Sequence, residues 1–459
     1  MPARLHLFAL KQATPGHTGI GLWKNPADRS SHYKDLSELV GLARMLEAGG
    51  FDGVFFADAP GQLDIYQGRP DAALRDAIGV PGNDPLLAIS AMAAATTALD
   101  FAVTLSTSYL QPYALARTVG TLDHLTGGRI GWNIVTSALE AGARNLGLDT
   151  LPAHDERYDI AEEFLDVVYA ILEGSWEDDA VVRDAGRGVY VDPERVHPVG
   201  HDGPRFHVPD IGPVEPSPQR TPVLFQAGSS ARGLEFAGRH AEGVFLSAMT
   251  PDVARTQVDR LRDALVAAGR ARQDAVVLAN ATVIVAEDDE IAAALYRDEY
   301  LAYVSYEGAL ARYSALLGVD LSAFDPDEPI RVDGGGGIQG LVDAFTKLHG
   351  GVWTPRRLGG FVAIGGGGPV LVGSPSTVAD QLLAWRDAAG VDGFNLADPL
   401  PGRTLADACR LLTPELRRRG ALPRREGTTF RERLSGRPGA GLVAPHPAVA
   451  VRERYRTPR

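Results

Sequence analysis

The sequence predicts an α/β protein built on a parallel sheet, and three observations carry that prediction. Short apolar strand-like runs alternate with amphipathic helical stretches at one spacing. Glycine pairs punctuate helix ends, as at Gly49-Gly50 and Gly127-Gly128. Polar residues gather where the strand-like runs end, as Asp58 and Thr136-Ser137 do, and ligands of parallel α/β folds sit at the carboxyl ends of the strands. Repetition of the unit favours a barrel over an open sheet.

The units follow in order. Leu5 to Leu10 reads as a first strand, and the polar segment Thr14 to Asp28, with His17 and Trp23, as a long loop at its carboxyl end. Leu36, Leu39, Val40, Ala43 and Leu46 recur at helical spacing. Phe51 to Ala57 is a second strand, delivering Asp58, and a helix over 84–99 follows the next loop. Strand Phe101–Ser106, helix Tyr113–Leu125 and strand Arg129–Val135 complete four units; Ile130, Trp132, Ile134 and Val135 suit a strand.

After Ser137 the rhythm breaks. Ala138 to Asp155 is irregular, Tyr158 to Glu173 is helical, and 174–222, rich in Pro and Gly, reads as an excursion with short hairpins. Strands at 222–228, 243–248 and 275–286 resume the pattern, with helices at 229–241 and 251–268. A long insertion, 288–373, starts with a Tyr-rich helix and carries two Gly-rich loops. Ser374-Pro375 starts a helix to Ala389, before a last strand, 391–397, and a helix over 407–419. The expected organisation is one barrel domain over 1–435, with insertions at about 138–157, 174–222 and 288–373, and a frayed, flexible tail over 436–459.

Composition narrows the function. The chain has 459 residues and a formal net charge of −13. From Arg417 onward twelve arginines face three glutamates, a net +9, which leaves the preceding body at −22. An acidic body excludes general nucleic-acid binding. The clusters Arg417-Arg418-Arg419 and Arg424-Arg425 read as helix ends or as a surface packed on that body. Cys409 is the only cysteine, so no internal disulfide and no cysteine metal site can form, and a buried structural thiol is expected. With no long apolar leader and no run of 18 apolar residues, a soluble cytoplasmic protein without membrane contact is expected.

Ser229 and Ser230 follow a strand and Gly228 and open a helix, which places backbone N–H groups, hydroxyls and a positive dipole end at one point, a corner suited to phosphate. The plainer reading is a serine N-cap. Asp58 and Thr104 can reach the mouth of a barrel, and His154 and Tyr158 share a helix face. Singly these read as a turn residue, a strand filler and a cap; together they mark one rim. Gly335-Gly336-Gly337-Ile338-Gln339-Gly340 fits the dinucleotide spacing, but no acid occurs from Ala344 to Ala379, so a mobile lid is the better reading. His197, His201 and His207 lie among Pro198, Gly200 and Gly203, which excludes the helix that closely spaced ligands need, and no metal is expected.

The run Gly128-Arg129-Ile130-Gly131-Trp132-Asn133-Ile134-Val135-Thr136-Ser137, with Ala143-Arg144-Asn145, resembles the signature of the bacterial luciferase-like FMN-dependent monooxygenases. Within them it is most similar to the nitrilotriacetate, dibenzothiophene-sulfone and long-chain-alkane monooxygenase group. Phe225 to Ser230, Phe51 to Asp58, Asp392 to Leu396 and Gly427 to Glu432 support the resemblance, which covers about residues 1–435. It implies a TIM (β/α)8 barrel with insertions and a two-component enzyme. Reduced FMN, supplied by a separate NAD(P)H:flavin reductase, would react with O2 to a C4a-hydroperoxide and oxygenate a small organic substrate at carbon, nitrogen or sulfur. By position it places Asp58 and Thr104 near the flavin ring and ribityl side, Asn133 against the ring, and His154, Tyr158, Ser229 and Ser230 around the lower part and phosphate. His17 resembles a family histidine near the flavin and is the catalytic candidate. A homodimer or higher homo-oligomer is implied by the resemblance alone.

The Gly-rich insertion departs from any one member, and Tyr66, Trp353 and the 296–306 tyrosines suggest a mixed apolar pocket. Three other readings stay open on the sequence: an F420-dependent oxidoreductase of the same barrel type, a metal-dependent barrel hydrolase, and a non-catalytic flavin-binding barrel.

Overall fold

The computed structural model describes residues 4–330, 352–423 and 425–456. Eight parallel strands close into a barrel: β1 (His6–Lys11), β2 (Gly53–Phe56), β3 (Asp100–Ser106), β4 (Ile130–Val135), β9 (Val223–Gln226), β10 (Gly243–Leu246), β11 (Val276–Val285) and β13 (Gly393–Ala397). The neighbours run β1-β2-β3-β4-β9-β10-β11-β13, and β13 returns to β1. β11 serves twice. Its first half pairs with β10 and β13, and Thr282–Val285 continues beyond the barrel to pair with β12 (Val370–Gly373). Strands buried on both faces read as near-continuous apolar runs, which is why these segments were legible.

The barrel interior is filled by aromatic rings rather than left as a pore. Phe55 stacks on Phe245 at 3.9 Å, Phe225 on Phe245 at 4.9 Å, and Phe8 on Phe430 at 5.8 Å. Two strand glycines make room: a Cβ on Gly131 would sit 2.8 Å from the Phe430 ring, and one on Gly243 would sit 2.2 Å from Phe225. Phe430 comes from the short helix Phe430–Ser435, started by a capping box of Thr429 and Glu432, and it plugs the amino-terminal end of the barrel.

That end is sealed by paired charges. Asp52 accepts from Arg4 and Arg425, Asp100 from Arg425 and Arg433, and Glu242 from Arg431 at 2.6 Å. Arg129 donates to the carbonyls of Ala93, Leu99 and Thr126. Of the basic clusters, Arg425 is thus paired with the body, Arg418 and Arg419 meet Glu415, and Arg419 also meets Asp380.

Several expectations need correction. In the tail expected to be frayed over 436–459, the described residues 436–456 include the helix Pro447–Tyr455, which packs on the turn Ala170–Gly174 and buries Ala448 and Val451. Arg452 neutralises the buried Glu173, and the Tyr455 hydroxyl donates to the Val199 carbonyl at 2.6 Å. Its prolines and charges look like a solvated end only until their partners are seen. The helix expected over 84–99 runs only Leu86–Ala94, because the backbone N–H groups of Thr97, Ala98 and Leu99 turn to the Glu47 carboxylate. The irregular segment 138–155 contains the helix Glu140–Asn145. Cys409 is half-buried rather than enclosed, against Gly49, and burial pushes its thiol up to about 12.

The excursion over 174–222 forms two hairpins, β5 (Val181–Asp184) with β6 (Val189–Val191) and β7 (His201–Asp202) with β8 (His207–Val208). The insertion after β11 carries the helices Asp289–Leu295, Tyr306–Leu317 and Pro355–Val362 before β12. The dinucleotide-like run Gly335–Gly340 lies outside the described residues. No helix among the described residues is long and apolar enough to cross a membrane.

Candidate active site

At the carboxyl end of the barrel strands lies a cavity of about 340 Å3 that opens into a groove of about 430 Å3. His17, Asp58, Thr104, Asn133 and Ser229 line the cavity, and Tyr158 lines the groove, which shares Asp58, Val135, Ala227 and Gly228 with it. Five separate βα units therefore bring these side chains to one mouth.

Each is placed by its element. Asn133 and Thr104 are register partners on β4 and β3, and Asn133 Nδ2 donates to Thr104 Oγ1 at 3.0 Å. That bond fixes the amide and leaves Asn133 Oδ1 buried without a partner. Asp58 follows β2, where burial, and secondarily Asp84, pushes its carboxyl up to about 6. His17 sits on the loop after β1; burial, then the Arg312 and Lys11 charges, hold its ring well below the usual histidine range, so it is neutral.

The far end of the groove is built by two helices. Ser230 caps the helix Ala231–His240, its Oγ accepting the Gly233 N–H at 3.0 Å, so the plain N-cap reading holds as local geometry. Tyr158, on the helix His154–Tyr169, accepts from Gln226 Nε2 at 3.3 Å. A Cβ on Gly228 or Gly233 would come within 2.6 or 2.7 Å of the Tyr158 hydroxyl, so both glycines are needed for this close approach. His154 meets Tyr158 edge-on at 5.3 Å, as one helix face requires, with Nδ1 turned to Asp155 at 2.7 Å.

The expected aromatic lining of the pocket is not met. Tyr66 and Trp353 pack with Ile20, Ala309 and Leu310 into a core under the insertion, and Tyr300 is buried with its hydroxyl on Thr404 at 2.9 Å. None of them lines the cavity. His197, His201 and His207 separate to Glu177, Glu163 and Asp202. Among the described residues no group of three metal-ligating side chains occurs.

Sequence reasoning missed Gln226, Asn280, Asn395 and Arg312. Asn280 and Asn395 are register partners on β11 and β13, and both leave Oδ1 buried and unpartnered. Their signal was present: one amide inside each apolar run, Val-Val-Leu-Ala-Asn and Gly-Phe-Asn-Leu, as in the Asn133 strand. Buried acceptors without partners cost stability, and they cluster here at the carboxyl ends where ligands of such barrels bind.

The luciferase-like monooxygenase family model matches residues 15–393. The chain belongs to this family. It is 43% identical over 457 residues to a dimethyl-sulfide monooxygenase of Hyphomicrobium sulfonivorans, covering 99% of this chain and 95% of that one. It is 41% identical to a long-chain alkane monooxygenase of Geobacillus thermodenitrificans, covering 98% and 99%. A riboflavin lyase solved with modified FMN and riboflavin is 34% identical, with a TM-score of 0.87 over 98% of this chain and 99% of that one. The chain is an oxidoreductase of the monooxygenase type.

Proposed function

We propose that the protein is the oxygenase of a two-component system: it binds FMN reduced by a separate NAD(P)H-dependent reductase and uses O2 to oxygenate a small organic substrate. The observation that carries this is the mouth itself. Tyr158 and Gly228, beside the Ser230 N-cap, line a groove that shares four residues with a chamber whose wall carries Ser229 and buried, unpartnered acceptors. A reduced flavin carries ring N–H and ribityl O–H donors that match Asn133 Oδ1, and Asp58, its carboxyl pushed up to about 6, can donate to a ring oxygen in its protonated form. His154 and Tyr158 flank the phosphate end, and Thr104 orients Asn133. The bound flavin supplies the O2 chemistry; the chain holds it, excludes water and positions substrate. Neutral His17 can donate or accept a single proton-bearing hydrogen bond at the chamber wall. Homo-oligomerisation accompanies this reading by family likeness.

The test is reconstitution. With a generic flavin reductase, FMN and O2, a panel of sulfides, sulfones, alkanes and aminopolycarboxylates is screened by mass spectrometry for gain of one oxygen. Product that depends on FMN and not on F420 is expected; failure to bind FMN, or turnover with F420 alone, overturns the reading. His17→Ala is expected to keep FMN affinity while leaking more peroxide, and unchanged coupling removes His17 from the site.

A further inference from the structure

The mouth has two unlike halves. β2, β3, β4 and β9 present Asp58, Thr104, Asn133 and Gln226, whereas β1, β13, β11, β10 and the insertion present His17, Asn395, Asn280, Ser247 and Arg312. Arg312 stands on the helix Tyr306–Leu317 and lines the cavity from the insertion side. It donates to the carbonyl of His17, and its other terminal nitrogen lies near Gly366, whose added Cβ would be 3.8 Å from it. No carboxylate among the described residues forms an ion pair with it.

Arg129 and Arg270 are likewise buried without a carboxylate, but neither lines the mouth. Arg431, Arg433 and Arg425 each hold a carboxylate at the opposite end. A half-buried guanidinium held by one carbonyl and no carboxylate is costly, and an anion offsets that cost. Asn280, 6% exposed, is held by the Gly365 and Gly366 carbonyls at 3.0 and 3.3 Å, and its Oδ1 and that of Asn395, 2% exposed, stay unpartnered beside it. Neutral His17 adds no second charge. Apart from Ser247 and Gln257, the wall on this side is apolar, with Leu10, Phe55, Val244 and Phe245.

We infer that Arg312 anchors an oxyacid group of the substrate, a carboxylate or sulfonate on a small apolar body, on the half of the mouth facing the flavin anchors. The planar fork of the guanidinium matches such a group with two parallel hydrogen bonds. The inference rests on the reading of the other half as the flavin site, and its test separates the two.

Acetate, methylthioacetate, hexanoate and benzoate, each with its neutral primary amide, are titrated calorimetrically into the full chain, with and without FMN. A charge-assisted pair predicts that at least one acid binds about tenfold to a hundredfold tighter than its amide. Arg312→Gln should bring that ratio to about one with FMN affinity unchanged, and Arg312→Lys should keep part of it, since the charge but not the fork remains. Equal binding of every acid and its amide by the wild-type chain, or no binding by any acid, overturns the proposal without recourse to the variants. So does a ratio that survives Arg312→Gln. Loss of FMN binding by the wild-type chain with the acid preference intact would sink the flavin reading and leave this one standing.

Discussion

At the amino-terminal end of the barrel Asp52, Asp100 and Glu242 each meet at least one arginine, whereas at the carboxyl end Asn133, Asn280 and Asn395 keep side-chain oxygens without partners and Arg312 has no carboxylate among the described residues. Both ends are built from buried polar groups on or beside strands of the one barrel. One end pairs its carboxylates with arginines of the chain, and the other keeps three side-chain oxygens unpaired. The contrast teaches that burial of a polar group is not itself a sign of function; an unanswered one is.

Substitutions can break the contrast from either side. The largest effect is expected at the sealed end. Asp100→Asn removes the charge that Arg425 and Arg433 share and leaves the buried Arg433 without an ion-pair partner, and breaking such a pair costs about 3–5 kcal/mol. Urea unfolding should show that loss, with FMN affinity of the folded fraction unchanged; a loss under about 1 kcal/mol would mean that the seal is redundant. At the open end the pattern should invert. Asn133→Leu removes an unpaired acceptor, so stability should shift by no more than about 1 kcal/mol while FMN affinity falls about tenfold. A large stability loss with normal flavin binding would put Asn133 in the fold rather than the site.

The smallest effect concerns Asp58. Its carboxyl is pushed from an ordinary 3.8 up to about 6 in the folded chain, chiefly by burial, so the unfolded chain releases this proton first. Stability from this group is therefore present below about pH 4 and is lost as pH rises toward about 6. Partial exposure to the cavity discounts the loss to about 1–2 kcal/mol. Asp58→Asn in the flavin-free chain should flatten that slope and raise stability at neutral pH. An unchanged slope assigns the titration elsewhere.

The strands, Asp58, Thr104, Asn133 and the Ser230 corner were legible because each depends on local pattern: a strand's alternation and a helix start are written within about ten residues. The tail and Arg312 were not, because their meaning is non-local. Arg452 looks solvated in sequence, and only the fold shows the buried Glu173 opposite it. Arg312 sits in a helix whose pattern gives no sign that the insertion folds back over the mouth. The tyrosines of the insertion were assigned to the pocket by composition, yet Tyr300 found Thr404 and the apolar core instead, since aromatic area is buried wherever the fold offers it.

A crystal structure of the chain grown with FMN tests the central claim most directly. The ring is predicted to lie in the cavity at the carboxyl end against Asn133 and Thr104, with the phosphate at Ser229, Ser230 and Tyr158 and the Arg312 side of the mouth left open. FMN bound anywhere else on the barrel, or with its phosphate on Arg312, would contradict the account.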